Sequence, residues 1–452
     1  MSSPSLGTRL RDILRASRDG DGDRPAPGRA AIGPATTGAA LAAAAADALG
    51  GDILQTDTGP CVRVVRTYAP DHLHGILRLG ECLDDLEGGE AALPVLTGGT
   101  GVAQESTDPR ALLFVDIETT GLAGGAGTYA FLVGCARYDG SVLMVEQFFM
   151  VGHALECALL SVLRAPIESS GALVSYNGKT FDVPVLETRF LFHRQAPPFA
   201  GRPHIDMLHT ARRLWRGARS VVPAPGAQTE SCALSAMEQA LFGFRRYGDV
   251  PGFEIPARFF AFLRSSDARP LQPVFEHNRL DLVSLAALTA RAVRLVREIP
   301  ERVEDARECY GVGRLFEGRE EGERAQRWYE RAVALSARSW HAGDGLVRVQ
   351  ALRALALRCR RLGRYEEAAT HWEAIVSARV CPPAIMREAL EALAVHFEHR
   401  SSDLDRARRY AERSRLLSYP LAHGAAVEHR IARLRRKLVN SGAMLLEDAE
   451  GL

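Results

Sequence analysis

Leu112, Leu113, Phe114, Val115, Asp116, Ile117 and Glu118 form an apolar run that ends in two carboxylates, followed by Thr119, Thr120 and Gly121. Side chains alternate along a strand, so Asp116 and Glu118 share a face. Apolar residues on both faces mark a central strand covered on both sides. Two acids at the mouth of such a strand repel each other and are costly to bury unpaired. A divalent cation between them is the usual remedy, because a hard cation such as Mg²⁺ takes one or two carboxylates with water and phosphate oxygens. Such a strand asks the rest of the chain for further carboxylates and a base.

Two later stretches supply them. In the stretch 176–186, Asp182 lies just before Pro184, which favours the first turn of a helix. One reading is an N-cap aspartate. The other is a ligand at a strand-to-helix junction, where α/β sheets keep their ligands. In the stretch 276–285, His277 and Asp281 are four apart and share a helical face, either as a surface pair or as a fourth carboxylate with a titratable base.

Other features carry less. Asp206 reads as the cap of a helix at 207–219 and as a reserve acid. Arg212, Arg216 and Arg219 fall on one flank of that helix, as a solvated face or a phosphate-contacting strip. The run from Asp71 to His74 is a small metal box or an ordinary loop. The Gly-rich segment 121–127 lacks the Gly-Lys-Ser/Thr ending of a phosphate loop and reads as a hairpin connection.

With 452 residues the chain has room for two or three domains. A formal net charge of +1 means that any nucleic-acid contact must come from local patches. The 8 cysteines are scattered without a C-x-x-C pair, so neither a zinc site nor a disulfide framework is expected. No segment reads as a membrane span or signal, and a cytoplasmic protein is expected. The organisation expected is a disordered linker over 1–35 with a short amphipathic helix at 6–18, then a small accessory region at 36–108. A core α/β domain at 109–298, helical repeats at 303–440 and a tail at 441–452 complete the expected organisation. Within this frame strands are expected at 61–66, 112–118, 129–138, 143–150 and 173–176.

Taken together, the run from Asp116 to Leu122, Asn177 with Phe181 and Asp182, and His277 with Asp281 resemble the three motifs of the DEDD (DnaQ-like) 3′–5′ exonucleases. The Gly-rich hairpin, the segment Tyr176 to Lys179 and the His277–Asn278 helix are similar to the YprB-like branch of that superfamily. This resemblance covers roughly residues 110–295. It implies an α/β fold, a ribonuclease-H-like mixed sheet flanked by helices. The activity it implies is two-metal hydrolysis of phosphodiester bonds with Mg²⁺ or Mn²⁺. Asp116, Glu118, Asp182 and Asp281 would be the metal ligands and His277 the base. Thr119, Asn177, Lys179, Arg212 and Arg216 are the candidate substrate contacts, and single-stranded DNA or RNA with a 3′ end is the expected substrate. One spacing departs from the pattern: three residues separate His277 from Asp281, as in the tyrosine members of the superfamily rather than the histidine members.

The final third is helical and carries an internal echo. Ala368, Trp372 and Ile375 resemble the second half of a tetratricopeptide repeat (TPR), and Ala325, Tyr329 and Ala332, then Ala407, Ala411 and Ser414, repeat the spacing. Successive units are 43 and 39 residues apart, against a usual period of ~34. An all-α TPR-like domain is expected, either docking a protein or nucleic-acid partner or buttressing the nuclease domain. Two other functions stay open: a non-catalytic binding scaffold on the same fold, and endonuclease activity at the same site.

Overall fold

The computed structural model describes residues 38–97, 108–121, 127–216, 231–338, 342–417 and 424–450. The expected helix at 6–18, most of the Gly-rich hairpin and Arg219 lie outside these residues. The chain opens with helix α1 (Gly38–Leu49) and strands β1 (Asp52–Thr56) and β2 (Gly59–Tyr68). A short hairpin, β3 (Leu73–His74) and β4 (Leu77–Arg78), precedes helices α2 (Leu79–Glu87) and α3 (Leu93–Thr97). Three longer strands follow, β5 (Leu112–Thr119), β6 (Ala130–Asp139) and β7 (Val142–Phe149). Then come α4 (Glu156–Ser169), β8 (Ala172–Ser175), α5 (Asp182–Phe192), β9 (His204–Asp206) and α6 (Met207–Leu214). Helices α7 (Leu234–Phe242), α8 (Ile255–Ser265) and α9 (Gln272–Arg297) complete this part.

The main sheet has seven strands in the order β1-β2-β7-β6-β5-β8-β9. Strand β5 pairs antiparallel with β6 and parallel with β8, and β8 pairs parallel with β9. This is the expected mixed sheet flanked by helices. The segment read as an accessory region adds β1 and β2 to the same sheet through the β2–β7 ladder.

Alternation along β5 sorts its side chains between two cores. Leu113, Val115 and Ile117 face the layer of α1, α4, α5 and α8. Leu112 and Phe114 face the layer built on α9, α6 and α7. By parity Asp116 and Glu118 belong to the α9 side. Strand β5 is therefore the interior, doubly covered strand that its composition demands.

An all-helical part follows: α10 (Ala306–Glu317), α11 (Gly322–Ser336), α12 (Ala342–Arg361), α13 (Tyr365–Val376), α14 (Pro383–His399), α15 (Leu404–Leu416) and α16 (Gly424–Glu450). Helices α10 and α11, with Ala351 and Leu355 of α12, share the α9-side core, whereas Val349, Leu352, Ala356 and Cys359 of α12 join the later helices in a core of their own. Trp215, fully buried, docks against α10, its indole Nε1 donating to Glu308 Oε1 at 3.0 Å. That contact corrects the length of the Arg-bearing helix. Helix α6 ends at Leu214, with Trp215 turned inward, so Arg216 lies beyond the helix rather than in one helical strip with Arg212. The small and aromatic positions of the three echoes, on α11, α13 and α15, are all buried. Among the described residues no helix is long and apolar enough to cross a membrane.

Candidate active site

The site is built where β5 ends beneath α9. In the β5–β6 ladder Asp116 stands opposite Gly134. A Cβ at Gly134 would lie 2.3 Å from Asn278 Oδ1, so the missing side chain is what lets α9 approach the sheet. Asn278, fully buried, uses that space. Its Nδ2 donates to Asp116 Oδ2 at 2.8 Å and to the Asp116 carbonyl at 3.2 Å, while its Oδ1 accepts from Gln147 Nε2 at 2.8 Å. Asp116 is thereby fixed from α9. The sequence reading names Asn278 within the His277–Asn278 helix but gives it no role at the site, although a polar residue in the stripe Val274, Asn278, Leu282, Leu285 is a visible signal.

Asp182 does not cap its helix. It is the first residue of α5, the N-cap position belongs to Phe181, and no side-chain capping bond forms there. Asp182 Oδ2 is buried without any hydrogen-bond partner. Gly178 leaves room for it, since a Cβ there would lie 2.9 Å from that oxygen. The turn that aims Asp182 is held by Asp206, whose Oδ1 accepts from the Asn177 amide at 2.8 Å and whose Oδ2 accepts from the Lys179 amide at 3.1 Å. Asp206 Oδ1 also caps α6 by accepting from Leu208 N at 3.0 Å. The reserve acid is thus spent as a brace and cap. Asn177 sits in the left-handed region at φ 71°, its amide oxygen accepting from Thr180 Oγ1 at 2.8 Å.

Helix α9 brings Asp281 and His277 to the same mouth. His277 Nδ1 is 2.7 Å from Asp249 Oδ1, and its Nε2 is 3.7 Å from Asp281 Oδ2. Arg246, in the turn after α7, donates to Asp281 Oδ1 and through Nε to Glu238 Oε2 at 2.9 Å. Its Nη1 reaches Asp249 Oδ2 at 3.4 Å. Neither Arg246 nor Asp249 carries a sequence signal, because their roles arise only when that turn folds against α9.

The electrostatics report how close the acids are. Burial first, then the charges of Asp281, Glu118 and Asp182, hold the Asp116 carboxyl well above its ordinary range. Burial, then Asp281, Asp182 and Asp249, do the same to Glu118, against the opposing Arg246 charge. Burial, then Asp206 and Asp281, push Asp182 up to about 8. Like charges in a dry site disfavour each other's ionisation, and bound positive charge reverses the effect.

Of the other expected residues, Thr119 is buried and its Oγ1 donates to Gly121 O at 2.8 Å. Asn177, Lys179, Arg212 and Arg216 are exposed. The suggested metal box at Asp71 to His74 is not one: His74 is buried, with Nε2 2.8 Å from Ser284 Oγ.

Among the described residues no three acids, histidines or cysteines are drawn into a ready-made metal cage. Arg246 holds Asp281 and Asn278 holds Asp116. The donor set nevertheless suits a hard divalent cation: four carboxylates, with an unpartnered buried oxygen at Asp182.

The sequence pattern of the RNase_H superfamily matches residues 113–293, a span that contains all four acids and His277. The chain is also 30% identical over 329 residues to the uncharacterized protein YprB of Bacillus subtilis (strain 168), a match covering 72% of this chain and 75% of that protein.

Proposed function

The chain belongs to the YprB family within the RNase H superfamily, and from that premise we propose that it is a DEDD-type 3′–5′ exonuclease that hydrolyses single-stranded nucleic acid with Mg²⁺ or Mn²⁺. The observation that carries this reading is Asp182. A buried carboxylate oxygen without a hydrogen-bond partner, on an acid that burial and the charges of Asp206 and Asp281 push up, is a costly arrangement with no structural use.

When bound, two divalent ions supply the charge that offsets these acids and stabilises the negative charge developing on the phosphodiester. Asp116, Glu118, Asp182 and Asp281 would hold them, Asp281 being the one that Arg246 pairs in this structure. Asn278 keeps Asp116 aimed into the site. His277, its Nδ1 held 2.7 Å from Asp249 Oδ1, would use Nε2, which faces the site 3.7 Å from Asp281 Oδ2, to accept the proton of the attacking water. The exposed Asn177, Lys179, Arg212 and Arg216, with Thr119 buried at the end of β5, would receive the strand's phosphates. Helices α10 to α15 are read as three TPR-like pairs that dock a partner.

The competing reading is a non-catalytic scaffold, and the hold of Arg246 on Asp281 favours it. Calorimetric titration with Mn²⁺ separates the two. The nuclease reading expects about two ions per chain, lost in Asp116→Ala. A wild type that takes up no ion overturns it.

A further inference from the structure

Beside the acids, a cavity of about 660 Å³ opens between the end of β2, the β3 hairpin, the turn after α7 and the first turns of α9. We propose that this cavity is a subsite for one unpaired nucleotide of a single strand, its base stacked on Tyr247 and its phosphate held by Arg245. The inference rests on the nuclease reading above and adds where a neighbouring nucleotide is gripped.

Three observations lead there. The first is an aromatic surface without a partner. Tyr247 is 92% exposed, and among the described residues its ring touches no other ring or guanidinium. Across the cavity, Tyr68 meets His72 edge-on at 4.7 Å between centroids, and the Arg279 guanidinium lies 5.6 Å from the Tyr68 ring. Tyr68 is buried, so the aromatic face open to an unpaired base is that of Tyr247.

The second is the charge left over. Glu276 is paired with Arg279, and Asp249 with His277 and Arg246. Both acids that line the cavity are therefore already matched. Arg245 is exposed and forms no ion pair among the described residues, so its charge is available to a phosphate.

The third is continuity. Arg246 and Asp249 line this cavity and, at the same time, hold Asp281 and His277. A strand with one phosphate at the acids therefore has a neighbouring nucleotide at the cavity mouth. The volume suits a small organic ligand, for which pockets run ~300–1,000 Å³.

The test is fluorescence anisotropy of labelled oligothymidylate and oligouridylate with full-length protein in EDTA, so that no strand is cut. Tyr247→Ala is expected to raise Kd about tenfold, and Tyr247→Phe, which keeps the ring face, less than roughly twofold. Arg245→Ala is expected to flatten the dependence of log Kd on log salt by about 0.7, the contribution of one single-strand phosphate. Unchanged melting temperatures show that the variants fold, as the exposure of both side chains leads one to expect. A wild type that binds strands, with Tyr247→Ala and Arg245→Ala binding equally well, overturns the subsite and leaves the nuclease reading standing. A wild type that neither binds nor cuts any strand overturns both.

Discussion

Replacing Asp182 by asparagine tests how the acids are held. Burial, Asp206 and Asp281 raise its carboxyl from the ordinary 3.8 to about 8 in the fold. Below pH 3.8 the group is protonated both folded and unfolded, and it makes no difference to stability. Between 3.8 and about 8 the unfolded chain gives up the proton and the fold keeps it. Stability then falls by ~1.4 kcal/mol per pH unit, and the loss is complete above the folded value. Over about 4 pH units this is on the order of 5 kcal/mol for the metal-free protein. Asp182→Asn removes the titration. It is expected to exceed the wild type by on the order of 4 kcal/mol more at about pH 9 than at about pH 5 in EDTA. Unfolding entropy near 2.1 cal/mol/K per residue gives roughly 1 kcal/mol/K for a chain of this length, so the Tm gap should widen by about 4 °C. Scanning calorimetry at the two pH values measures it. Added Mn²⁺ should reverse the order at neutral pH, stabilising the wild type and leaving the variant nearly unchanged. A gap that does not grow with pH, or a wild type that is the more stable protein at high pH in EDTA, refutes the reasoning.

Other perturbations follow from the same geometry. Gly134→Ala should push Asn278 and α9 off the sheet and cost ~1–3 kcal/mol by denaturant unfolding. Asn278→Ala leaves Asp116 unbraced, so Mn²⁺ affinity in a calorimetric titration should fall about 10–100-fold. Arg246→Met strips the partner from buried Glu238 and from Asp281, and should cost ~3–5 kcal/mol in EDTA. Because a cation at Asp281 replaces part of that charge, Mn²⁺ should recover more of this variant's Tm than of the wild type's.

Strands β5, β6 and β7 are readable from the sequence because they are long, apolar and interior, whereas the edge strands β1 and β9, short and set at the two ends of the sheet, carry no such run. Strand β5 carries the alternation that put Asp116 and Glu118 on one face, and that parity is what sets them beneath α9. At Asp182 the sequence left two readings open. The choice turns on the backbone at 177–182, which is braced by Asp206 from β9, and no local pattern encodes a brace 24 residues away. Arg216 was assigned to a helix that stops earlier, because Trp215 gains more by burying its ring against α10 than by continuing the helical face. Arg246 and Asp249 were invisible for a similar reason. They sit in an aperiodic turn, and their partners lie on α7 and α9.

The most direct test of the proposed exonuclease is degradation of single-stranded DNA and RNA labelled at either the 3′ or the 5′ end, in Mg²⁺ or Mn²⁺, beside Asp116→Ala and Asp182→Ala. The account predicts a 5′-labelled ladder that shortens stepwise from the 3′ end, early release of the 3′ label as a small product, and loss of both in each variant. Cleavage that survives both substitutions, or a 5′ label released first, would contradict it.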